Sequence, residues 1–552
     1  MKRAKLVWLT LLRAGFAGWM IGSLLIAAEA QPDTAPRLST LARLSVHRFD
    51  FAGNTVFSDK ELSRLVAPFT GREITSEELQ EARRAVTLYY VNRGYINSGA
   101  LIPDQEVCDG VVTIRIIEGR LTEIEVTGNH WLRDDYLKER LKLRARPPLN
   151  VNELRDALQL LRQNPNVQQI NAELQPGAVP GDARLAARVL DQQPFRLGLQ
   201  VDNSRPPSVG AEEILLLAGD RNLTGHNDPL EIGYGIAEGG YGQWKFSDFN
   251  NVGGSYVFPL NQFDTRLCVY GNRNDFAIID PAFTTTNNVN ISVTSDSYRM
   301  GGSLRQPIYR TSSREFALAV SFERRLSETF VLGQLQSVSP GAVDGKEEIS
   351  ALRLSQEWTD RGLNQVLAVR STFSVGLDAF GVTDDGTGRN AKFWAWLGQA
   401  EYVRRLWDTP NQLILRAAGQ WTDDQLLSLE QFSVGGSDTV RGYRENELVR
   451  DRGLFASAEL RVPVLFDKMG TPVVQLAPFF DFGGGWNVGA SPVTGSNPPP
   501  TTVSSAGIGL LVSPSKHLKA QLYWGHAFKS IHVDSEDPQD IGLHFRVNFE
   551  AF

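Results

Sequence analysis

Two periodicities divide this chain of 552 residues. Up to about residue 193, apolar positions recur at helical spacing between short alternating strands. Past Gln193-Pro194 the helical spacing stops. Alternating stretches of roughly ten residues then follow one another, separated by turns rich in Gly, Asn, Asp and Pro.

The first part is a repeat. Phe51-Ala52-Gly53-Asn54 is matched 75 residues later by Val126-Thr127-Gly128-Asn129. At the same offset Ile74 matches Leu149, Glu78 matches Glu153, Leu79 matches Leu154 and Ala82 matches Ala157. Each copy opens on an alternating strand, 47–51 and 122–126, and the Gly-Asn turn after it suits positive φ. Two helices follow. Ser58 with Glu61, and Thr75 with Glu78, have capping-box spacing. Leu79, Ala82, Val86 and Tyr90 fall at helical spacing, as do Leu154, Ala157, Leu158 and Leu161. Two strands close each copy, with Val112, Ile114 and Ile116 on one face in the first and Leu185, Ala187 and Val189 in the second. The predicted unit is β-α-α-β-β, over residues 45–120 and again over 121–193. The edges of such a sheet can accept an extended partner strand. A spacer with managed edges fits the same residues.

Residues 1–30 stand outside both patterns. Lys2, Arg3, Lys5 and Arg13 precede an apolar stretch, and Ala28-Glu29-Ala30 has the small-x-small form of a signal-peptidase site, with Ala28 and Ala30 as its small residues. Export through a bacterial inner membrane follows. Residues 31–44 are then a short N-terminal extension.

In the second part Val369, Phe373 and Val375 lie opposite Arg370, Thr372 and Ser374. Leu413, Leu415 and Trp421 lie opposite Gln412, Arg416 and Gln420, and Leu518, Leu522 and Trp524 opposite Lys519, Gln521 and Tyr523. A soluble sandwich alternates too. Export, sustained one-sided apolarity and a terminal strand ending at Phe552 point instead to an outer-membrane barrel, whose closure satisfies every strand edge in lipid. Phe552 would be its C-terminal signal, although it is out of phase with Phe549 and Ala551. At about 22 residues per strand and turn, residues 194–552 make roughly 16 strands. The fold class is mainly β: a 16-stranded transmembrane barrel preceded by two α+β modules.

Composition narrows the functions. Fifty Gly with 28 Phe, 13 Tyr and 11 Trp suits strands and turns, and a mean hydropathy of −0.22 speaks against a polytopic helical membrane protein. The formal charge of −7 becomes −10 once the four basic and one acidic side chains of the leader are gone, which disfavours nucleic acid as a partner. Two cysteines, Cys108 and Cys268, are read as unpaired, and they rule out a Cys-rich metal site. The seven histidines are scattered, Gly483-Gly484-Gly485 lacks the Lys-Ser/Thr of a phosphate loop, and no Gly-x-Ser-x-Gly elbow occurs. No enzyme, cofactor or metal is expected.

The least generic segment runs from Gln431 through Gly435-Gly436 to Val440-Arg441-Gly442-Tyr443. Paired glycines and then Arg-Gly-Tyr describe a tight excursion. An Arg within a barrel needs the lumen and a carboxylate, and Asp481 in Phe480-Asp481-Phe482-Gly483 is a candidate partner. An Arg–carboxylate fork is short and directional and suits pinning a loop to a wall. An Arg441 that snorkels to solvent, with Asp481 in a strand-end turn, is equally open on these residues alone.

Tyr95-Ile96-Asn97-Ser98-Gly99-Ala100-Leu101-Ile102-Pro103, Asp109-Gly110-Val111-Val112 and Ile117-Glu118-Gly119-Arg120-Leu121 resemble the first POTRA domain of two-partner secretion transporters, the haemolysin secretion/activation proteins. The second unit resembles their second POTRA domain. Val440-Arg441-Gly442-Tyr443 matches the VRGY tetrad of their sixth extracellular loop, and Asp202-Asn203 and Asn222-Leu223-Thr224-Gly225 match the family too. The resemblance implies an outer-membrane transporter, with POTRA domains in the periplasm, that passes an unfolded exoprotein such as an adhesin or haemolysin through its barrel. It implies that the loop near 431–450 folds into the lumen and that Arg441 pairs with Asp481. Gly442 and Tyr443 would shape the tip, and Val440, Phe480 and Gly483 complete the two motifs. Outer-membrane lipid and the cell's barrel assembly machinery are implied partners. Family members commonly hold a plug helix in the pore; fourteen residues, at ~3.5 Å each, are too few to reach it and form a helix. Closure is expected from the inserted loop. A barrel-assembly insertase of the same superfamily is the alternative, and a passive porin a more distant one.

Overall fold

The computed structural model describes residue 38 and residues 43–237, 250–278, 293–339, 341–384, 386, 388–407, 409–489, 501–529 and 537–551. The signal site at Ala28 and Ala30, almost all of the N-terminal extension and Phe552 lie outside them. Residues up to 89 together with 100–117 make one compact unit, and 90–99 with 118–552 the other.

In the first module Ser58 caps α1 (Asp59–Val66): its N–H donates to Glu61 at 3.0 Å, and the Glu61 N–H donates back at 3.4 Å. Thr75 and Glu78 repeat this box at α2 (Ser76–Val91), at 2.9 and 3.3 Å. The strands differ from expectation. Beside β2 (Arg48–Ala52), β4 (Gly99–Leu101) and β5 (Val111–Ile117), which form one sheet, β1 (Arg43–Val46) pairs with β3 (Arg72–Thr75). Four-residue strands are too short to announce themselves by period, yet they bury Val46 and Ile74. Gly53 has φ of 91°, and a Cβ there would sit 2.5 Å from the Ile116 carbonyl oxygen, so only glycine fits this turn.

The second module runs β6 (Arg120–Thr127), α3 (Asp134–Arg144), α4 (Val151–Arg162), β7 (Val167–Pro176) and β8 (Asp182–Asp191). β8 is central, parallel to β6 and antiparallel to β7. Tyr136, Leu137, Leu141, Leu154, Leu161 and Leu185 form its buried core against the sheet.

From Phe195 the chain closes into an antiparallel barrel of sixteen strands, with a two-residue strand, Gln334–Leu335, as an extra pairing on the seventh. The first strand, Phe195–Asp202, meets the sixteenth, Leu543–Glu550, in register Val201 with Val547. Alternation decides the faces. Val369, Phe373 and Val375 point outward and are exposed, whereas Thr372 and Ser374 are buried inside. Leu522 and Trp524 face out and Tyr523 in. A closed sheet with this apolar outside is the strand architecture a bilayer accepts. Because neighbours are antiparallel, connections after even-numbered strands lie at the end where the second module enters, and those after odd-numbered strands at the other. The 422–451 loop follows the eleventh strand, Gln412–Trp421, and so starts at the end opposite the modules.

At the module end, α3 and α4 meet the barrel turns through polar contacts. Arg140 donates to Asp264 at 2.6 Å, Arg133 to the Thr224 carbonyl at 2.9 Å, and Asn222 to the Trp131 carbonyl at 2.8 Å. The Asn222-Leu223-Thr224-Gly225 segment is therefore part of this joint. Cys108 and Cys268 are both unpaired.

Candidate functional site

The 422–451 loop folds back as a hairpin. Phe432–Val434 pairs with Leu448–Arg450, and the excursion between them leaves the first strand sharply through Gly435 and Gly436, at φ of 115° and 99°. This carries the tip to the inner faces of four wall strands. Val434, Val440, Tyr443 and Leu448 are buried there with Val503.

Arg441 is 1% exposed and Asp481 fully buried. The guanidinium forks onto Asp481, from Nε to Oδ2 at 2.8 Å and from Nη2 to Oδ1 at 2.9 Å, and the Arg441 backbone N–H donates to Oδ2 at 3.0 Å. Nη2 also donates to Ser457 Oγ at 3.1 Å, and Nη1 to Glu459. The guanidinium carbon stands 3.7 Å from the centre of the Phe479 ring and 4.8 Å from that of Tyr523. Arg461 donates to Glu459 at 2.7 Å, so the cluster holds two guanidiniums against two carboxylates. A charge buried this deeply is tolerated only with such partners. Planarity lets one side chain fork, bridge and stack at once, which an ammonium cannot do.

The glycines define clearance. A Cβ on Gly442, at φ of 96°, would lie 2.9 Å from the Gly525 backbone, and one on Gly483 would lie 2.5 Å from Val434 and 2.9 Å from Val440. The loop therefore lies directly on the wall. Tyr443 donates to the Ser504 carbonyl at 3.1 Å. The 537–542 segment meets the far side of the tip: Arg444 donates to Asp540, and the Glu445 backbone N–H donates to Gln539 Oε1 at 2.8 Å. Burial pushes the Glu445 carboxyl up to about 7, against the Ser437 N–H that donates to it at 2.6 Å.

Val440, Arg441, Gly442, Tyr443, Asp481 and Gly483 thus converge. Phe480 does not: it is half exposed on the outer face, its ring 6.3 Å from that of Phe528. Its place next to Asp481 in the strand already sets it on the opposite face. Glu459, Ser457, Phe479 and Tyr523 complete the cluster and were not singled out from the sequence. Their inward parity is legible, but an inward carboxylate or aromatic is ordinary in a barrel.

Asn203 works at the seam. Its side chain donates to the Leu543 carbonyl at 2.9 Å and accepts from the Phe545 N–H at 2.8 Å, extending the ladder between first and last strands. Gln539 donates to the Asn203 and Arg205 carbonyls at 2.6 and 2.8 Å, tying this seam to the segment that holds the tip.

Residues 181–511 match the family model described as haemolysin secretion/activation protein ShlB/FhaC/HecB, and residues 44–119 match the ShlB-type POTRA domain. The outer membrane transporter CdiB of Dickeya dadantii is 24% identical over 434 residues, 75% of this chain and 72% of its own. The heme/hemopexin transporter protein HuxB of Haemophilus influenzae is 24% identical over 443 residues, 77% of this chain and 73% of its own. Among solved structures, CdiB from Escherichia coli superposes with a TM-score of 0.70 at 22% identity, covering 95% of this chain and 93% of that one. BamA from Haemophilus ducreyi lacking POTRA domains 1–3 gives 0.52 at 14% identity, covering 92% and 100%.

Proposed function

The chain belongs to the haemolysin secretion/activation family, and from that premise we propose that it is the outer-membrane transporter of a two-partner secretion pair, moving an unfolded exoprotein from periplasm to cell surface. The modules stand in the periplasm and the barrel in the outer membrane. The observation that carries the reading is the seated hairpin: a sixteen-stranded lumen is wide enough for water, and here a loop held by Arg441 on Asp481 crosses it. The loop is the gate, and cargo passes when its tip leaves the wall. A passive porin has no need of two periplasmic modules. The cargo is a large secreted protein of the adhesin, haemolysin or haem-binding kind, recognised in the periplasm by the modules, and its folding outside the cell drives export without nucleotide.

Deleting this protein and assaying the medium is the direct test. Loss of one large exoprotein supports export. Unchanged secretion with loss of many barrel proteins would mean an assembly insertase instead. Arg441→Ala should abolish export while the barrel still assembles and runs as a heat-modifiable band, and wild-type export by that variant would remove the gate as the mechanism.

A further inference from the structure

The hairpin is fastened to the wall at a second place, across from its tip. Just before Phe432–Val434, a single 3₁₀ turn, Ser428–Glu430, brings Glu430 against the seventh and eighth strands, Arg314–Val331 and Lys346–Arg361. The Glu430 side chain is 7% exposed, and Arg353 Nη2 donates to its Oε1 at 2.6 Å. Arg325 stands 3.6 Å from the same oxygen and donates to the neighbouring Leu429 carbonyl at 2.6 Å. The Glu430 carbonyl accepts from Gln420 at 3.0 Å.

The wall is built to want this carboxylate. Glu323 alone faces Arg299 at 2.6 Å, Arg325 at 2.7 Å and Arg353 at 3.4 Å. Three guanidiniums around one carboxylate leave excess positive charge on this stretch of the wall, which Glu430 reduces. Arg353 is itself oriented by the wall, donating to Ser374 at 2.7 Å.

We propose that Glu430 is a second positioning residue of the gate, and that the Arg353–Arg325 pair is the socket that keeps the base of the hairpin in the lumen independently of the Arg441 lock. The tip is fixed to the twelfth and thirteenth strands and the base to the seventh and eighth, so each anchor adds separately to the bias toward the seated loop and the loss of either raises the open probability. The inference rests on the gate reading only in taking the seated loop as the closed state.

The test uses the full chain in planar lipid bilayers. Losing one charged hydrogen bond should raise the open probability of Glu430→Gln and Arg353→Gln by about tenfold or more, with Arg353→Lys, which keeps the charge but not the fork, opening clearly less than Arg353→Gln. Barrel assembly is checked for each variant by heat-modifiable migration. Arg441→Ala is run beside them: if it fails to open the pore, the gate reading itself falls. If Arg441→Ala opens the pore and assembled Glu430→Gln stays at the wild-type level, the second anchor is wrong. Equal opening by Arg353→Lys and Arg353→Gln would also overturn it, since packing rather than charge would then hold the base.

Discussion

Asp481→Asn keeps the shape of the side chain and removes the charge that Arg441 was built to meet. Breaking one partner of a buried pair costs about 3–5 kcal/mol in general, and here Glu459 remains to take part of the load. The expected result is a pore that opens far more often in bilayers than wild type, with export lost in cells. A closed, exporting Asp481→Asn would show that the fork is ornamental. Gly442→Ala should do the same by another route, since the new methyl meets the Gly525 backbone at 2.9 Å from a φ of 96° that L residues avoid. At this scale the sequence carried much. Arg441 and Asp481 stood out as candidates because a cation after paired glycines and a lone carboxylate among alternating apolar residues need explaining, but it was the family resemblance that paired them. Glu459 did not stand out, because nothing in Glu459-Leu460-Arg461 marks which inward carboxylate a distant loop will reach.

The hairpin as an element has its own pH dependence. Glu445 is half-buried between Ser437, Asp438 and the 537–542 segment, with Arg546 near, and its carboxyl is pushed up to about 7. A carboxyl raised in the seated loop above its value in the free one favours seating when protonated. That contribution is complete at pH below about 4.5 and is lost as pH rises through about 7. Bilayer conductance should therefore increase between pH 5 and pH 8, and Glu445→Gln should flatten the profile; a wild-type profile already flat would refute this. Strands and helices were legible as elements because alternation and helical spacing are local, and the capping boxes at Ser58 and Thr75 formed as their spacing demands. The β1–β3 pair was not, since four residues carry no period.

Within the second unit, the joint between second module and barrel combines ion pairs and hydrogen bonds with an edge-to-face contact of Trp131 on Phe195, ring centres 5.5 Å apart. Arg140 on Asp264 is a shielded ion pair of this joint, with side chains only 12% and 17% exposed. Asp264→Asn should leave both the module and the barrel folded but loosen the joint, read as faster hydrogen exchange in α3 and easier proteolysis near residue 193. Unchanged protection would place the strength of the joint in Asn222 and Arg133 instead. Architecture at this scale followed from the sequence: a repeated module of about 75 residues, a barrel whose strand number comes from length, and an inside and outside set by parity. These are properties of residues near one another in the chain, which is why a pattern can hold them. What only the tertiary structure decided is which residues far apart in sequence share a wall. Glu459 and Asp481 around Arg441, Arg353 opposite Glu430, and Asn203 closing the seam with Leu543 depend on strand register and on the path of a folded-back loop. A shift of one residue in register would turn each of those side chains to the other face, and no local pattern records the choice.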